Sequence, residues 1–369
     1  MVMNGIRDIG IRKEILDKTD ESCVRKAIYA ARRSVLPIQP KNIKEVHRFL
    51  DSEAVDDILD SSYILENDCK RNIVLLSSSA NLKVLSKSTA WFVDGTFKCS
   101  PKYFLQMFTI HGLVNGHYIP LVFCLFNKKT VATYKRVFQV LTEALAERKL
   151  QSAPTLIYAD FEKAIQTAVH AVWSKARIRG CRFHLAQAWW RKIQKLGLST
   201  VYNTDTPKGK FLMYFFGLPL LEPKMVRTCF EEHFQRDDSA KDENIKQFLR
   251  YISMKYIRDN ARYPPELWAE MNSSIARTMN ACESFHAAFN KRFYTPHPNV
   301  FLFLYVLKDV QTNIELMINT AMRKKKEATK KNANKMKYFE AQIQEYKSKK
   351  IDDFTFVKSV SYRNLPLQF

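Results

Sequence analysis

"STAWFVDGTFKCSPKYFLQMFTIHG", residues 88–112, places an aspartate, Asp94, inside an apolar, aromatic run. Trp91, Phe92, Val93 and Phe97 flank it. An ionised carboxylate in such surroundings is costly unless it is paired, hydrogen-bonded or bound to a metal. Two local structures accommodate it. Asp94-Gly95 between apolar residues is a hairpin-turn signal, because glycine accepts positive φ and aspartate tolerates it. Asp94 then sits at a solvated turn. Alternatively, Ala90–Lys98 is one continuous strand. Period-2 alternation then sets Phe92, Asp94, Thr96 and Lys98 on one face, and Trp91, Val93, Gly95 and Phe97 on the other. The segment alone leaves both readings open.

Outward from this stretch, the order of elements becomes legible. Tyr103–His111 reads as a strand, Asn115-Gly116 as a turn and His117–Phe126 as a second strand. Val131–Leu150 follows as an amphipathic helix. Pro154–Ala159 (PTLIYA) is a short strand of buried type, and Asp160 comes directly after it. Phe161, Ala164, Ile165, Ala168, Val169, Val172 and Trp173 then recur at helical spacing. Ile178–Phe183 reads as another strand, and Leu185, Trp189, Ile193 and Leu196 mark the next helix. A meander followed by alternating helix and strand implies a mixed sheet with helices on its faces. Residues 1–85 read as mostly helical and 205–275 as helical without a strand signal. A helix over Thr278–Phe293 precedes a helical, basic tail.

Lysine and arginine number 59 against 37 acidic residues, an excess of 22 that suits a polyanionic partner. The seven cysteines form no CxxC pair and are odd in number, which argues against a disulfide framework and for a reducing compartment. The N-terminus shows no apolar secretory segment. The most apolar stretch, Tyr103–Phe126, is interrupted by too many polar residues for a membrane span. No GxxxxGK[ST], GxGxxG or GxSxG motif supports an ATPase, dinucleotide or serine-hydrolase reading. The Arg323-Lys324-Lys325-Lys326 run reads as an import-like signal or as a solvated helix face.

Each chemically suggestive residue also has a plain structural reading. Asp160 suits the N-cap of the following helix, yet it also stands at the C-terminal end of a strand, where α/β folds place ligands. Glu283, in RTMNACESFHAAFNKRF, falls with Asn280, Ala287 and Asn290 on a face away from an apolar stripe of Ala281, Phe285, Ala288 and Phe289. A lone glutamate there is ordinarily solvated. Cys181 and His184, in CRFH at a strand-to-helix junction, lack the further CxxC or HxxxH that a four-ligand zinc site needs. They read as a buried thiol and a capping or core histidine. His111, His117, His170 and His286 are isolated in sequence and carry no site assignment.

Taken together, WFVDGTF, PTLIYADFEKAI, RGCRFHLAQAWWRKI and ARTMNACESFHAAFNKRF followed by HPN resemble the MULE (Mutator-like element) transposase domain. The resemblance runs from about Ser86 to Val300. It implies an RNase H-like α/β fold: a mixed five-stranded sheet with flanking helices, interrupted by a helical insertion, with helical N- and C-terminal segments. The corresponding divisions are 1–85, 86–200, 201–275 for the insertion, 276–300 for the late core helix, and 301–369. The resemblance also implies an acidic triad, carried over to Asp94, Asp160 and Glu283, that holds Mg²⁺ or Mn²⁺, as two ions. It favours the strand reading of Asp94, and it makes Cys181 and His184 structural support beside the site.

Oxygen ligands suit Mg²⁺, and paired ions suit phosphodiester chemistry. The implied activity is DNA cleavage and strand transfer. The implied partners are transposon ends and target DNA, with no membrane and with homo-oligomerisation open. The implied location is the nucleus. Arg182, Arg191, Lys192, Lys195, Lys291 and Arg292 are the candidates for tracking the DNA backbone. Many members of the family carry a cysteine/histidine zinc module that this sequence lacks. The alternative reading is therefore a domesticated DNA-binding or regulatory descendant without catalysis. A third is an RNase H-like nuclease of another lineage.

Overall fold

The computed structural model describes residue 23 and residues 38–150, 154–273 and 280–365. At its centre is a mixed seven-stranded sheet. The strands are β1 (Ile64–Asp68), β2 (Ile73–Leu76), β3 (Ala90–Thr96), β4 (Gln106–Val114), β5 (His117–Phe126), β6 (Leu156–Ala159) and β7 (Arg177–Gly180). Their spatial order is β1-β2-β5-β4-β3-β6-β7. The five strands expected from the sequence are β3 to β7. Two more, β1 and β2, come from the region expected to be mostly helical. They are short, and β2 is Ile-Val-Leu-Leu, an apolar run whose length and composition do not separate strand from helix.

The stretch that opened the question is a strand. β3 pairs antiparallel with β4, with Asp94 opposite Thr109. It ends at Thr96, two residues short of the sequence expectation, and Phe97 is exposed beyond it. β3 also pairs in parallel with β6, and the last registered pair is Val93 with Ala159. The next residues on these strands are Asp94 and Asp160, so the register brings the two aspartates to the same end of neighbouring strands. The β4–β5 connection is the expected Asn115-Gly116 turn, with φ of 49° and 80°. Both central residues are left-handed, as a type I′ hairpin requires.

Side-chain alternation divides the two faces of β3. Trp91 and Val93 enter the main apolar core, where Trp91 meets Trp173 edge-on at 5.2 Å. That core is capped by α3 (Val131–Glu147) and α4 (Lys163–Val172), helices that follow α1 (Ile43–Leu50) and α2 (Ser79–Lys87). Phe92, on the Asp94 face, joins a small separate cluster with Tyr158, Cys181 and Cys282. Its ring stacks on Tyr158 at 4.7 Å.

A second apolar core is built from helices and the turns between them, with no strand residue among its buried members. It gathers α5 (Arg182–Lys195), the short helices α6 (Ser199–Tyr202), α7 (Pro207–Tyr214) and α8 (Pro223–Cys229), α9 (Glu243–Ile252) and α10 (Pro265–Trp268). After α11 (Asn280–Asn290) and α12 (Val300–Arg323), the chain returns to this core through α13 (Lys330–Lys347) and α14 (Asp353–Ser361). Phe339, Ile343, Phe356, Val357 and Val360 are buried in it. α12 is tied to α2 and to the turn before β1 by a buried polar network: the Tyr63 hydroxyl donates to Gln311 Oε1 at 2.7 Å, and Gln311 exchanges amide hydrogen bonds with Asn81. Among the described residues, no helix is long and apolar enough to cross a membrane.

Candidate active site

Asp94 comes from β3, Asp160 from the end of β6, Cys181 and His184 from the β7–α5 junction, and Glu283 from the first turn of α11. These segments are distant in sequence, and the sheet register together with α11 gathers them. His184 lies between two of the acids: its Nδ1 is 3.7 Å from Asp160 Oδ1 and its Nε2 is 3.4 Å from Glu283 Oε1. An open depression is lined by Asp94, Thr96, His184, Gln187, Glu283 and His286. Asp160 stands beyond His184, outside that lining.

Each acid is held differently. Asp94 is only 6% exposed, and its Oδ1 accepts the Gly95 amide at 2.9 Å. Its Oδ2 faces His286 Nδ1 at 3.2 Å. Burial alone pushes such a carboxyl up. The hydrogen bond and charge of His286, the charge of His184 and the Gly95 amide outweigh it and hold Asp94 below the usual carboxylate range. Asp160 is the most open, with its side chain 47% exposed. Its Oδ1 accepts the Phe161 amide at 2.6 Å. It is not a helix N-cap: α4 begins at Lys163 after Glu162, which makes no side-chain capping bond.

Glu283 is not on a solvated face. Its side chain is 25% exposed, and Oε1 is buried without a hydrogen-bond partner. Burial, then the charges of Asp94 and Asp160, push its carboxyl up to about 8. The buried stripe of α11 is Cys282, His286 and Phe289, rotated from the Ala281, Phe285, Ala288, Phe289 stripe that periodicity suggested. Alanine and cysteine are small enough to lie on either face, so composition misplaced the stripe by about one residue.

The rotation brings in a residue that sequence reading passed over. His286 is buried and continues inward: its Nε2 lies 2.8 Å from Thr109 Oγ1, and that oxygen lies 2.9 Å from His111 Nε2. Burial, then the charge of His286, drives the His111 imidazole down to about 3, so His111 is neutral. The only sequence signal for this chain was the i, i+3 spacing of Glu283 and His286, which places both on one helix face.

Carboxylate oxygens are the donor type that magnesium-class cations prefer. One Glu283 oxygen is buried and unsatisfied, and burial, then the charges of Asp94 and Asp160, raises its carboxyl. Among the described residues, however, the three side chains whose ligand atoms all lie within 4.8 Å of one another are Cys181, His184 and Glu283, not the three acids.

The basic candidates lie on α5 and just past the end of α11, and they differ in exposure. Arg191, Lys195, Lys291 and Arg292 are exposed. Arg292 pairs with Asp309 at 3.7 Å, and Lys192 lies over the Tyr251 ring at 5.5 Å. Arg182 is half-buried beside Cys181, and desolvation lowers its guanidinium to about 10. No curated protein matches the chain. Residues 90–188, which include Asp94, Asp160, Cys181 and His184, match the family model of the MULE transposase domain.

Proposed function

We propose that this chain is a Mutator-like transposase core. It cuts a DNA phosphodiester and transfers the freed 3′-hydroxyl to target DNA, using Asp94, Asp160 and Glu283 to hold two Mg²⁺ or Mn²⁺ ions. The observation that carries the reading is Glu283. Its carboxylate oxygen Oε1 is buried without a hydrogen-bond partner beside the depression that Asp94 lines, and burial, then the charges of Asp94 and Asp160, pushes its carboxyl up. A protein that only used these acids for packing gains nothing from such an arrangement.

In hydrolysis, the oxygen of water bonds to phosphorus and the P–O3′ bond breaks, which leaves a 3′-hydroxyl and a 5′-phosphate. In transfer, that hydroxyl attacks a target phosphodiester and displaces its 3′-oxygen. Divalent ions bound there supply Lewis acidity to the attacked phosphate and to both oxygens that change partners. The protein's part is placement. The Gly95 amide and His286 fix both Asp94 oxygens, the Phe161 amide fixes Asp160, and His184 separates Asp160 from Glu283. The excess of 22 positive charges supports backbone binding of DNA. The reading also assigns the protein to the nucleus, and the exposed Arg323-Lys324-Lys325-Lys326 side chains are accessible to an import receptor.

Nicking and strand-transfer assays on supercoiled plasmid, with Mg²⁺ or Mn²⁺, test the proposal. Activity that requires the metal and is abolished by Asp94→Asn, Asp160→Asn or Glu283→Gln is the expected result. Nicking that survives all three substitutions, or that needs no metal, overturns it. DNA binding with no nicking in either metal favours the domesticated, non-catalytic alternative.

A further inference from the structure

We propose that Cys181, His184 and Glu283 form a second, softer cation site that takes one zinc-class ion. Because it shares Glu283 with the acidic triad, this ion excludes the magnesium-class ions. Sequence alone offered only Cys181 and His184, two ligands from one junction. The fold supplies the third from α11.

The ligand atoms of the three residues lie within 4.8 Å of one another. Zn–S bonds of about 2.3 Å and Zn–N or Zn–O bonds of about 2.0–2.2 Å set tetrahedral ligand separations on the order of 3.5 Å. The His184 Nε2 to Glu283 Oε1 distance of 3.4 Å already meets that requirement. Two further observations point to a ligand. Glu283 Oε1 and His184 Nδ1 are both buried and lack hydrogen-bond partners. A cation beside Glu283 answers the first.

The second fits zinc ligation through Nε2. A ligating histidine usually turns its other ring nitrogen toward a carboxylate, which fixes its tautomer. Asp160 Oδ1 stands on that side of the His184 ring, 3.7 Å from Nδ1. Ligation orders His184, and a small approach of the two groups then completes the hydrogen bond.

Donor chemistry separates the two ions. A thiolate, an imidazole and one carboxylate select zinc over magnesium, whereas three carboxylates select magnesium or manganese. Binding takes Cys181 as thiolate and Glu283 as carboxylate, and the thiol proton and any proton held by Glu283 go to solvent. A fourth position is left for water. Glu283 cannot serve both sets at full strength, so zinc at the soft site withdraws one ligand from the acidic triad. This competitive consequence rests on the proposed function. The binding itself does not.

Cobalt(II) is the probe, since thiolate ligation of Co²⁺ gives a charge-transfer absorption. The full-length protein, without DNA, is titrated with Co²⁺ and then with Zn²⁺. One equivalent of cobalt should give the thiolate band, and zinc should abolish it. Cys181→Ser should lose the band and Cys282→Ser should keep it. The second variant controls for the neighbouring thiol in the same buried cluster. Because Cys181 is fully buried, Glu283→Gln provides a second test, and it should weaken cobalt affinity about tenfold or more. An absent band, a band that survives Cys181→Ser, a band lost in Cys282→Ser, or unchanged affinity in Glu283→Gln overturns the site. In a nicking assay, stoichiometric zinc should inhibit and excess Mn²⁺ should restore activity. Nicking that zinc leaves untouched overturns the competition. A cobalt band without nicking in any metal defeats the proposed function alone, and nicking without a band defeats this inference alone.

Discussion

His286 Nδ1 lies 3.2 Å from Asp94 Oδ2, and the same imidazole reaches Thr109 through its other nitrogen at 2.8 Å. One proton arrangement satisfies the neutral chain. His286 donates from Nδ1 to Asp94, Thr109 donates to His286 Nε2, and His111 donates from Nε2 to Thr109. Asp94 is thereby oriented from behind by a buried relay that leaves its open side to the depression.

His286→Ala removes that donor. Metal affinity should fall about 10–100-fold, as for other partners that orient metal-binding side chains. His286→Asn keeps an N–H close to the position of Nδ1 and should recover part of the loss. Mn²⁺ titration followed by calorimetry measures both. Equal affinities for the parent and the alanine variant would show that His286 only packs against Asp94.

Thr109→Val retains the shape but breaks the relay and strands two buried imidazole nitrogens. A loss of about 1–3 kcal/mol in stability is expected from an unsatisfied buried polar group. His111 adds an acid-side effect. Its folded pKa, about 3, lies below the ordinary 6.5, so the unfolded chain binds the proton first. Stability should fall as pH drops from about 6.5 toward 3. His111→Phe should flatten that limb in denaturant melts, and an unchanged limb would assign the acid lability to other groups.

Glu283 works in the opposite direction. Its carboxyl is raised from 4.5 to about 8, so between these values the folded chain holds a proton that the unfolded chain has lost. In chelator, stability is full below pH 4.5 and falls as pH rises toward 8. Glu283→Gln should flatten the decline. A magnesium-class ion requires the carboxylate, so its binding below about pH 8 should release a proton. Calorimetry in buffers of different ionisation enthalpy reads that proton directly, and buffer-independent heats would sink the prediction.

Gly180 governs the position of Asp160 indirectly. A Cβ built on Gly180 would stand 2.5 Å from the Phe161 ring, and that ring is wedged against Tyr263 at 5.2 Å. The amide of Phe161 holds Asp160. Gly180→Ala should therefore move both, costing about 1–3 kcal/mol of stability by overpacking. It should also lower nicking more than DNA binding. A variant with unaltered melting and unaltered nicking would show that the ring yields freely.

Five of the seven strands, β3 to β7, are legible in the sequence because strand alternation and the Asn115-Gly116 turn are local signals, whereas the short apolar β1 and β2 are not. Nor is the burial of Asp94 in β3, since Asp-Gly supports a turn equally well. The register of β3 on β6 is what settles it. Asp160 was placed correctly at a strand end but wrongly as a cap, because two residues of loop precede α4. His286 was invisible for a different reason. Its partners, Asp94 and Thr109, lie far away in the chain, and no periodicity encodes a contact between α11 and β3. The zinc-compatible set was missed in the same way: ligand counting along the sequence stops at Cys181 and His184.

The three acids should behave as a unit. Nothing local joins them, so loss of any one removes the shared cation site rather than a fraction of it. Asp94→Asn and Glu283→Gln should each abolish metal-dependent nicking, and the double variant should be hardly worse than either. Stability should show the reverse coupling. In chelator, Glu283→Gln relieves repulsion and is expected to melt no lower than the parent above pH 8, where Glu283 itself is charged. With excess Mn²⁺ the parent should gain stability by linkage, about 2.7 kcal/mol at a hundredfold excess over Kd, and the variants should gain little. Additive losses in nicking, or equal Mn²⁺ stabilisation in parent and double variant, would mean that the acids do not share an ion.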